Sequence, residues 1–381
     1  MKTIQLLTLG LLLCIGTADL SAQGCVAIRS MSCSGNISSG SNTTTSQVSS
    51  GDILVSTGYR YFKSFRHFRG EEEEKNRIAE GTEVINHFNG IDLGISYGIT
   101  NRLSATLVVP ININHRSSMY EHYGNSETAN PERKRFETES AGLSDLRLSA
   151  SYWLLNPEKS RTGNIALGMG VKAPTGKKNV LGDFHKKTEE GTDYTVERPV
   201  DQSIQLGDGG WGVSIETQGF QQIYNQFAVF FNGFYMANSK NHNGVLRNPT
   251  SDPANPFNYF SVADQYSARA GLFFSASNLL GFSLGSRLEG IPATDLIGKS
   301  EGFRRPGYIV SVEPGINVQY KRLALNLNVP IALERNRIRS TSDKINNSHG
   351  DAAFADYVVN VSVAYLFSTK HMGPSINPIN E

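Results

Sequence analysis

Most common chemistries lack their raw material in this chain. Three cysteines in 381 residues exclude a disulfide scaffold and a Cys-rich zinc module. No charge of one sign dominates: 36 Lys and Arg against 35 Asp and Glu leave a formal +1, so nothing calls for nucleic acid as a partner. There are no repeated runs of about 20 apolar residues, which excludes a polytopic helical membrane protein. Charged residues make up only 19% and hydrophobic ones 39%, yet there are 37 Gly, 19 Phe and 15 Tyr. With a mean hydropathy of −0.30, that is an odd mixture for a soluble enzyme. Length alone allows two or three ordinary domains. One class meets every constraint: an all-β, antiparallel transmembrane β-barrel, where only alternate strand residues need be apolar.

The first residues read as an export leader. Met1-Lys2 is a short positive start, Ile4 to Ile15 is an apolar run too short to span a bilayer, and Ala18, Ser21 and Ala22 are small residues before a cleavage point. The expected organisation is a signal peptide at 1–22, a Ser/Thr/Gly-rich segment at 23–50, a barrel at 51–367 and a tail at 368–381. Segment 23–50 has few bulky side chains and is expected to be a flexible lead-in, with a loose plug inside the barrel as the alternative. Cys25 and Cys33 are a candidate disulfide in an oxidising compartment. Free thiols, or a lipid on Cys25 after Gly24, are the competing readings.

From Asp52 onward the apolar pattern has period two. Leu103, Ala105, Leu107, Val109, Ile111 and Ile113 share one face, with Ser104, Thr106, Asn112 and Asn114 on the other. Leu146 to Leu154, Leu323 to Leu333 and Tyr357 to Phe367 repeat the alternation. About twelve such segments are expected, near 52–62, 89–99, 102–114, 143–155, 163–174, 208–219, 224–237, 264–277, 280–291, 307–320, 321–334 and 356–367. Odd connections are long and polar (63–88, 115–142, 175–207, 238–263, 292–306 and 335–355). Even ones are short, around Asn101, Asn278 and Tyr320-Lys321. Alternating long loops and short turns fit a membrane barrel with its turns periplasmic, its loops outside and both termini in the periplasm. Tyr97, Tyr152, Trp153, Phe227, Tyr235, Tyr266, Phe282, Tyr308, Tyr320 and Tyr357 fall near segment ends, as an aromatic girdle would.

The loop charges are mixed, as in Arg66-His67-Phe68-Arg69 before Glu71 to Glu74, in Glu132 to Arg135, and in Lys186 to Glu190. They read as solvated surface. The acidic run lacks the spaced oxygens and tight Gly turn of a calcium loop.

Several segments resemble a known family. Gly142-Leu143-Ser144-Asp145-Leu146-Arg147-Leu148 leads to Tyr152-Trp153-Leu154-Leu155, then Gly168-Met169-Gly170-Val171-Lys172-Ala173-Pro174-Thr175-Gly176. This is similar to the hairpin and the strand ending in Pro-Thr-Gly of the phenol-degradation meta-pathway β-barrel porin family. Leu206 to Trp211 looks like that family's next strand start, and Leu107 to Pro110 like an earlier strand end. The resemblance covers most of 85–240; Ser144 stands where the family has Gly, and Cys25 to Ser50 has no counterpart. It implies an outer-membrane transport barrel that admits small organic compounds, with no fixed catalytic residues.

No enzyme is expected. The histidines (His67, His87, His115, His122, His185, His242, His349 and His371) fall in loops, at strand ends or in the tail. His115 beside Ser117 and Ser118 is the nearest thing to a nucleophilic pair, but a triad needs a third group to orient the base. Gly207 to Gly210 has no following Lys-Ser/Thr and is no phosphate loop. No tight His/Cys cluster suggests zinc, and no cofactor is expected. The expected partners are outer-membrane lipid and small solutes, in the cell outer membrane.

The polar strand faces matter more. They offer Arg60, Asp92, Asp145, Arg147, Lys172, Glu216, Arg269, Arg287, Glu289, Glu313 and Arg322 as charged candidates for the lumen. Both signs occur in similar number, which fits either an internal ion-pair network or a constriction with opposed charges. Gly168 and Gly170 alternate with Leu167, Met169 and Val171, and Gly94 and Gly98 flank Ser96; these glycines are expected to leave room inside for a plug, a charged neighbour or a solute path.

Overall fold

The computed structural model describes residues 48–368. The expected leader, the Cys25–Cys33 pair, His371 and nearly all of the two terminal segments lie outside the described residues. Twelve antiparallel strands form the barrel: β1 (Ile53–Arg69), β2 (Ile85–Gly98), β3 (Leu103–Ser118), β4 (Phe136–Leu143, resuming as Leu146–Trp153), β5 (Gly163–Ala173), β6 (Gly212–Tyr224), β7 (Phe227–Asn238), β8 (Gln265–Ser275), β9 (Leu280–Ile291), β10 (Gly307–Tyr320), β11 (Leu323–Asn328, resuming as Ile331–Asn336) and β12 (Ala352–Phe367). Each pairs with its sequence neighbours, and β12 pairs with β1 from Ile53↔Phe367 to Phe68↔Ala352. The sheet closes, so no edge is left to seek another chain.

The alternation sorts the side chains. Leu107, Leu148, Leu325 and Val361 are 41%, 57%, 38% and 37% exposed on the outer face, while their neighbours Thr106, Asn326 and Ser362 point inward at 5%, 5% and 8%. A slip of one residue would exchange these two sets, so the pattern fixes the register. Tyr97, Tyr152, Phe227, Phe282, Tyr320 and Tyr357 stand exposed on the outside. Trp153 does not join that girdle. It is 4% exposed, packed inward with Ala166, Phe220, Phe230 and Phe273. These residues lie at the short-turn ends of β4 to β8 and give that end of the lumen an aromatic lining.

Two interruptions have local causes. β11 breaks at Val329-Pro330, where proline has no N–H for the ladder. β4 breaks at Ser144-Asp145, where the Ser144 N–H turns to the Pro110 carbonyl at 2.9 Å. Beyond this break the outer half of β4 pairs only with β3, because β5 has already ended at Ala173 before Pro174. The connection after β5 fills the gap. It forms a hairpin (Leu181–Lys187 with Asp193–Pro199) and then a 3₁₀ turn (Gln202–Ile204) that crosses the mouth of the barrel. Val200, Ile204 and Gln205 are essentially inaccessible. This long connection is therefore a partial plug, where its polar composition reads as outer loop.

Candidate functional site

Inward-facing small residues make room for inward-facing charge. A Cβ on Gly170 would meet Ser214 Oγ at 2.5 Å and Glu216 Oε1 at 3.1 Å, and one on Gly168 would sit 3.3 Å from Glu216 Cβ. The glycines thus leave the volume that Glu216 occupies.

The candidate charges gather into two groups in the lumen. In the first, Arg60 on β1 reaches Glu289 on β9 at 3.3 Å, Glu289 lies 3.7 Å from Arg287, Arg287 holds Glu313 on β10 at 2.6 Å, and Glu313 lies 3.4 Å from Arg269 on β8. β1 and β9 are separated by β10, β11 and β12, so the Arg60–Glu289 pair spans the lumen instead of running along one wall. Arg269 and Arg287 are directly opposite across β8 and β9. Such like charges repel, and Glu313 between them supplies the compensation. Arg60, Arg287, Glu289 and Glu313 are each at most 7% exposed; this section of the lumen is filled.

In the second group, Arg147 and Lys172 are opposite across β4 and β5, again a like-charge pair. Lys172 pairs with Asp208 and lies 3.9 Å from Asp145. Asp145, freed by the break in β4, accepts N–H bonds from Gly176 at 2.9 Å and Asp208 at 3.2 Å. Asp92 and Glu216 act electrostatically on Arg147. Arg322 joins neither group. It lies, partly exposed, in the tight turn between β10 and β11, where its carbonyl accepts the Leu366 N–H at 3.0 Å.

A third group at the long-loop end was not visible in the strand pattern. Arg116, inward at the end of β3, donates to Glu121 at 2.8 Å and to Asn86 at 2.9 Å, and lies 3.6 Å from Asp201. Asp201 caps the 3₁₀ turn and takes Arg305 at 2.7 Å. Burial works to raise the Asp201 carboxyl, but Arg116 and Arg305 hold it well below the usual carboxylate range. Arg304 forks onto Asp295 at 2.6 and 2.5 Å, and Arg337 donates to Asp343 at 2.9 Å. Of these, only Arg116 carries a sequence signal, continuing the inward face of Asn112 and Asn114. The other charged members lie in the connections between strands, with no periodicity to read.

His67, Glu74 and Asp351 bring possible ligand atoms within 4.8 Å of one another. They do not make an open metal site. His67 Nδ1 is 2.5 Å from Asp351, and its Nε2 accepts the Val84 N–H at 2.9 Å, so both nitrogens are engaged. Arg77 already pairs with both carboxylates, at 2.5 Å to Glu74 and 3.1 Å to Asp351. The trio ties β1 to its neighbouring loops.

Between these loop groups lies a cavity of about 520 Å³, lined in part by Arg116, Arg247, Phe303, Arg305 and Arg337.

No protein-family model and no curated protein matches the chain. Among solved structures, an outer membrane channel from Pseudomonas putida F1 is 12% identical with a TM-score of 0.53, over 84% of this chain and 97% of that one. The CymD monoaromatic hydrocarbon channel is 10% identical with a TM-score of 0.44, over 85% and 90% of the two chains. The P. putida toluene transporter TodX is 11% identical with a TM-score of 0.38, over 84% and 91%. The last two scores are too low to carry an argument. The first shows that this chain has the fold of an outer-membrane β-barrel channel. At 12% identity it assigns no solute.

Proposed function

We propose that the chain is an outer-membrane channel for passive movement of small solutes with apolar or aromatic bodies. Its long loops face outward and its short turns face the periplasm. One observation carries the reading: a closed barrel whose outer face is apolar encloses a lumen with an aromatic lining at the short-turn end and a solute-sized cavity at the other. The motif resemblance to the phenol-degradation meta-pathway barrels supports the same class of solute. Nothing in the sequence suggests coupling to nucleotide hydrolysis, so the direction of movement would follow the gradient. On this reading the chain is a transporter and not an enzyme.

A second reading is favoured by the filled ion-pair section: a non-conducting barrel that acts through its loops. Planar-bilayer conductance of the refolded protein, with liposome swelling in a panel of neutral aromatic and sugar solutes, separates the two. Discrete conductance steps and faster swelling with small aromatic solutes are expected. A silent bilayer with swelling no faster than protein-free liposomes would support the structural reading instead.

A further inference from the structure

The loop-end cavity has a composition that a route for purely apolar solutes does not require. Its volume of about 520 Å³ falls among those of small-molecule sites. Arg77, Arg116, Arg247, Arg304, Arg305 and Arg337 line it, against Asp343 and Asp351. The other carboxylates that neutralise these arginines, Glu74, Glu121, Asp201 and Asp295, do not line the cavity. The charges therefore nearly balance overall, while the surface that a solute meets is cationic.

Arg247 stands apart. Among the described residues no carboxylate forms an ion pair with it; its guanidinium carbon lies 3.4 Å from the centre of the Phe303 ring, and Arg305 approaches the same ring at 4.8 Å. Its guanidinium is charged at neutral pH. Its side chain stays accessible from the cavity. The guanidinium packed over Phe303 has an N–H edge with which no carboxylate among the described residues forms an ion pair. That edge matches a carboxylate in two parallel hydrogen bonds, a geometry an ammonium cannot supply. Tyr120, Val84 and Ala353 provide less polar wall.

We propose that this cavity captures small organic carboxylates, with Arg247 binding the carboxylate and Phe303 and Tyr120 contacting the apolar body. A bare inorganic anion would leave most of the volume and both rings unused. The assignment deepens the transport reading and rests on it for the direction of travel. Equilibrium binding nevertheless tests the site whether or not the barrel conducts.

The test is calorimetric titration of the refolded full chain in detergent with benzoate, benzyl alcohol and inorganic phosphate. Benzoate should bind saturably, and benzyl alcohol and phosphate should each bind about tenfold or more weakly. Arg247→Gln should weaken benzoate by about tenfold and leave benzyl alcohol unchanged, with heat-modifiable gel mobility reporting an intact barrel. If Arg247→Gln fails to fold, Arg247→Lys carries the test. Keeping the charge but losing the fork should weaken benzoate by about threefold or more. Equal affinity for benzoate and benzyl alcohol, no saturable benzoate binding, or a folded Arg247 variant with unchanged affinity would each overturn the site. Phosphate binding as tightly as benzoate would overturn the role of the rings.

Discussion

The charged groups between the strands and those under the loops use the same side chains but are held differently. Between the strands, Arg287 and Glu313 are fixed by ladder positions on β9 and β10, and each is 3% exposed. Under the loops, Arg116, Asp201 and Arg305 are brought together by a 3₁₀ turn that crosses the barrel mouth. Moving a charge of the first kind requires deforming the barrel. Those of the second kind can separate when one hairpin lifts. The first group is therefore suited to holding the wall and narrowing the lumen, and the second to admitting or retaining a solute.

The largest effect should come from breaking the strand-held group. Arg287→Ala strands Glu313 and Glu289 in a filled lumen, and removing one partner of a buried pair costs about 3–5 kcal/mol. Heat-modifiable gel mobility should show unfolding at a clearly lower temperature. A shift in reversal potential with unchanged melting would instead mean that water fills this section and that the charges line an open pore.

The same contrast explains what could be read from the sequence. Period-two alternation identified all twelve strands, and the segment expected at 280–291 coincides with β9. It also placed Arg60, Arg269, Arg287, Glu289 and Glu313 on inward faces, because on a regular strand parity determines the side. Parity gives no information where strands stop. Arg322 falls on the polar face of the segment expected at 321–334, but the strand begins at Leu323. Trp153 was placed outside on its aromatic character, although its neighbour Tyr152 already held the outward position. The plug and the arginine-lined cavity were illegible for a stronger reason. Asp201, Arg247, Arg304 and Arg305 meet through loop conformation across long sequence separations, and mixed loop charge looks the same whether it is solvated or folded inward.

A smaller effect should appear at the mouth as pH falls. The hairpin docks through the His185 N–H, which donates to His122 Nδ1 at 3.1 Å, with the His122 ring stacked on Phe184 at 5.3 Å. That acceptor exists only while Nδ1 is unprotonated. Burial is the chief cause of a His122 value pushed down to about 4; Glu121 opposes it, and His185, Lys186 and Arg198 assist. A histidine lowered on folding binds fewer protons folded than unfolded, so its stabilising effect is complete above its ordinary value near 6.5 and declines as pH falls toward about 4. Hydrogen exchange at Leu181–Pro199, corrected for intrinsic rates, should rise through that window while β9 and β10 stay protected. His122→Gln, which keeps a neutral polar side chain, should flatten the response. A rise that begins only below the ordinary carboxylate range would assign the latch to Asp201 instead.

The smallest effect is expected at Arg322, the candidate that the fold sets apart from the lumen. It carries the same charge as Arg287, which sits on strand β9, but lies in the turn between β10 and β11, and what the turn uses is its backbone carbonyl, bonded to the Leu366 N–H. Removing the side chain leaves that bond in place. Arg322→Ala should therefore shift stability within about 0.5 kcal/mol, the range for surface substitutions that touch no special feature, and should leave single-channel conductance unchanged. Measured beside Arg287→Ala in the same gel-mobility series, it isolates position from charge. If the two variants lose similar stability, general charge balance rather than the ladder-held network sustains the barrel. If Arg322→Ala alone changes conductance, the short-turn end of the path passes this residue, and the strand-held group is not its narrowest section.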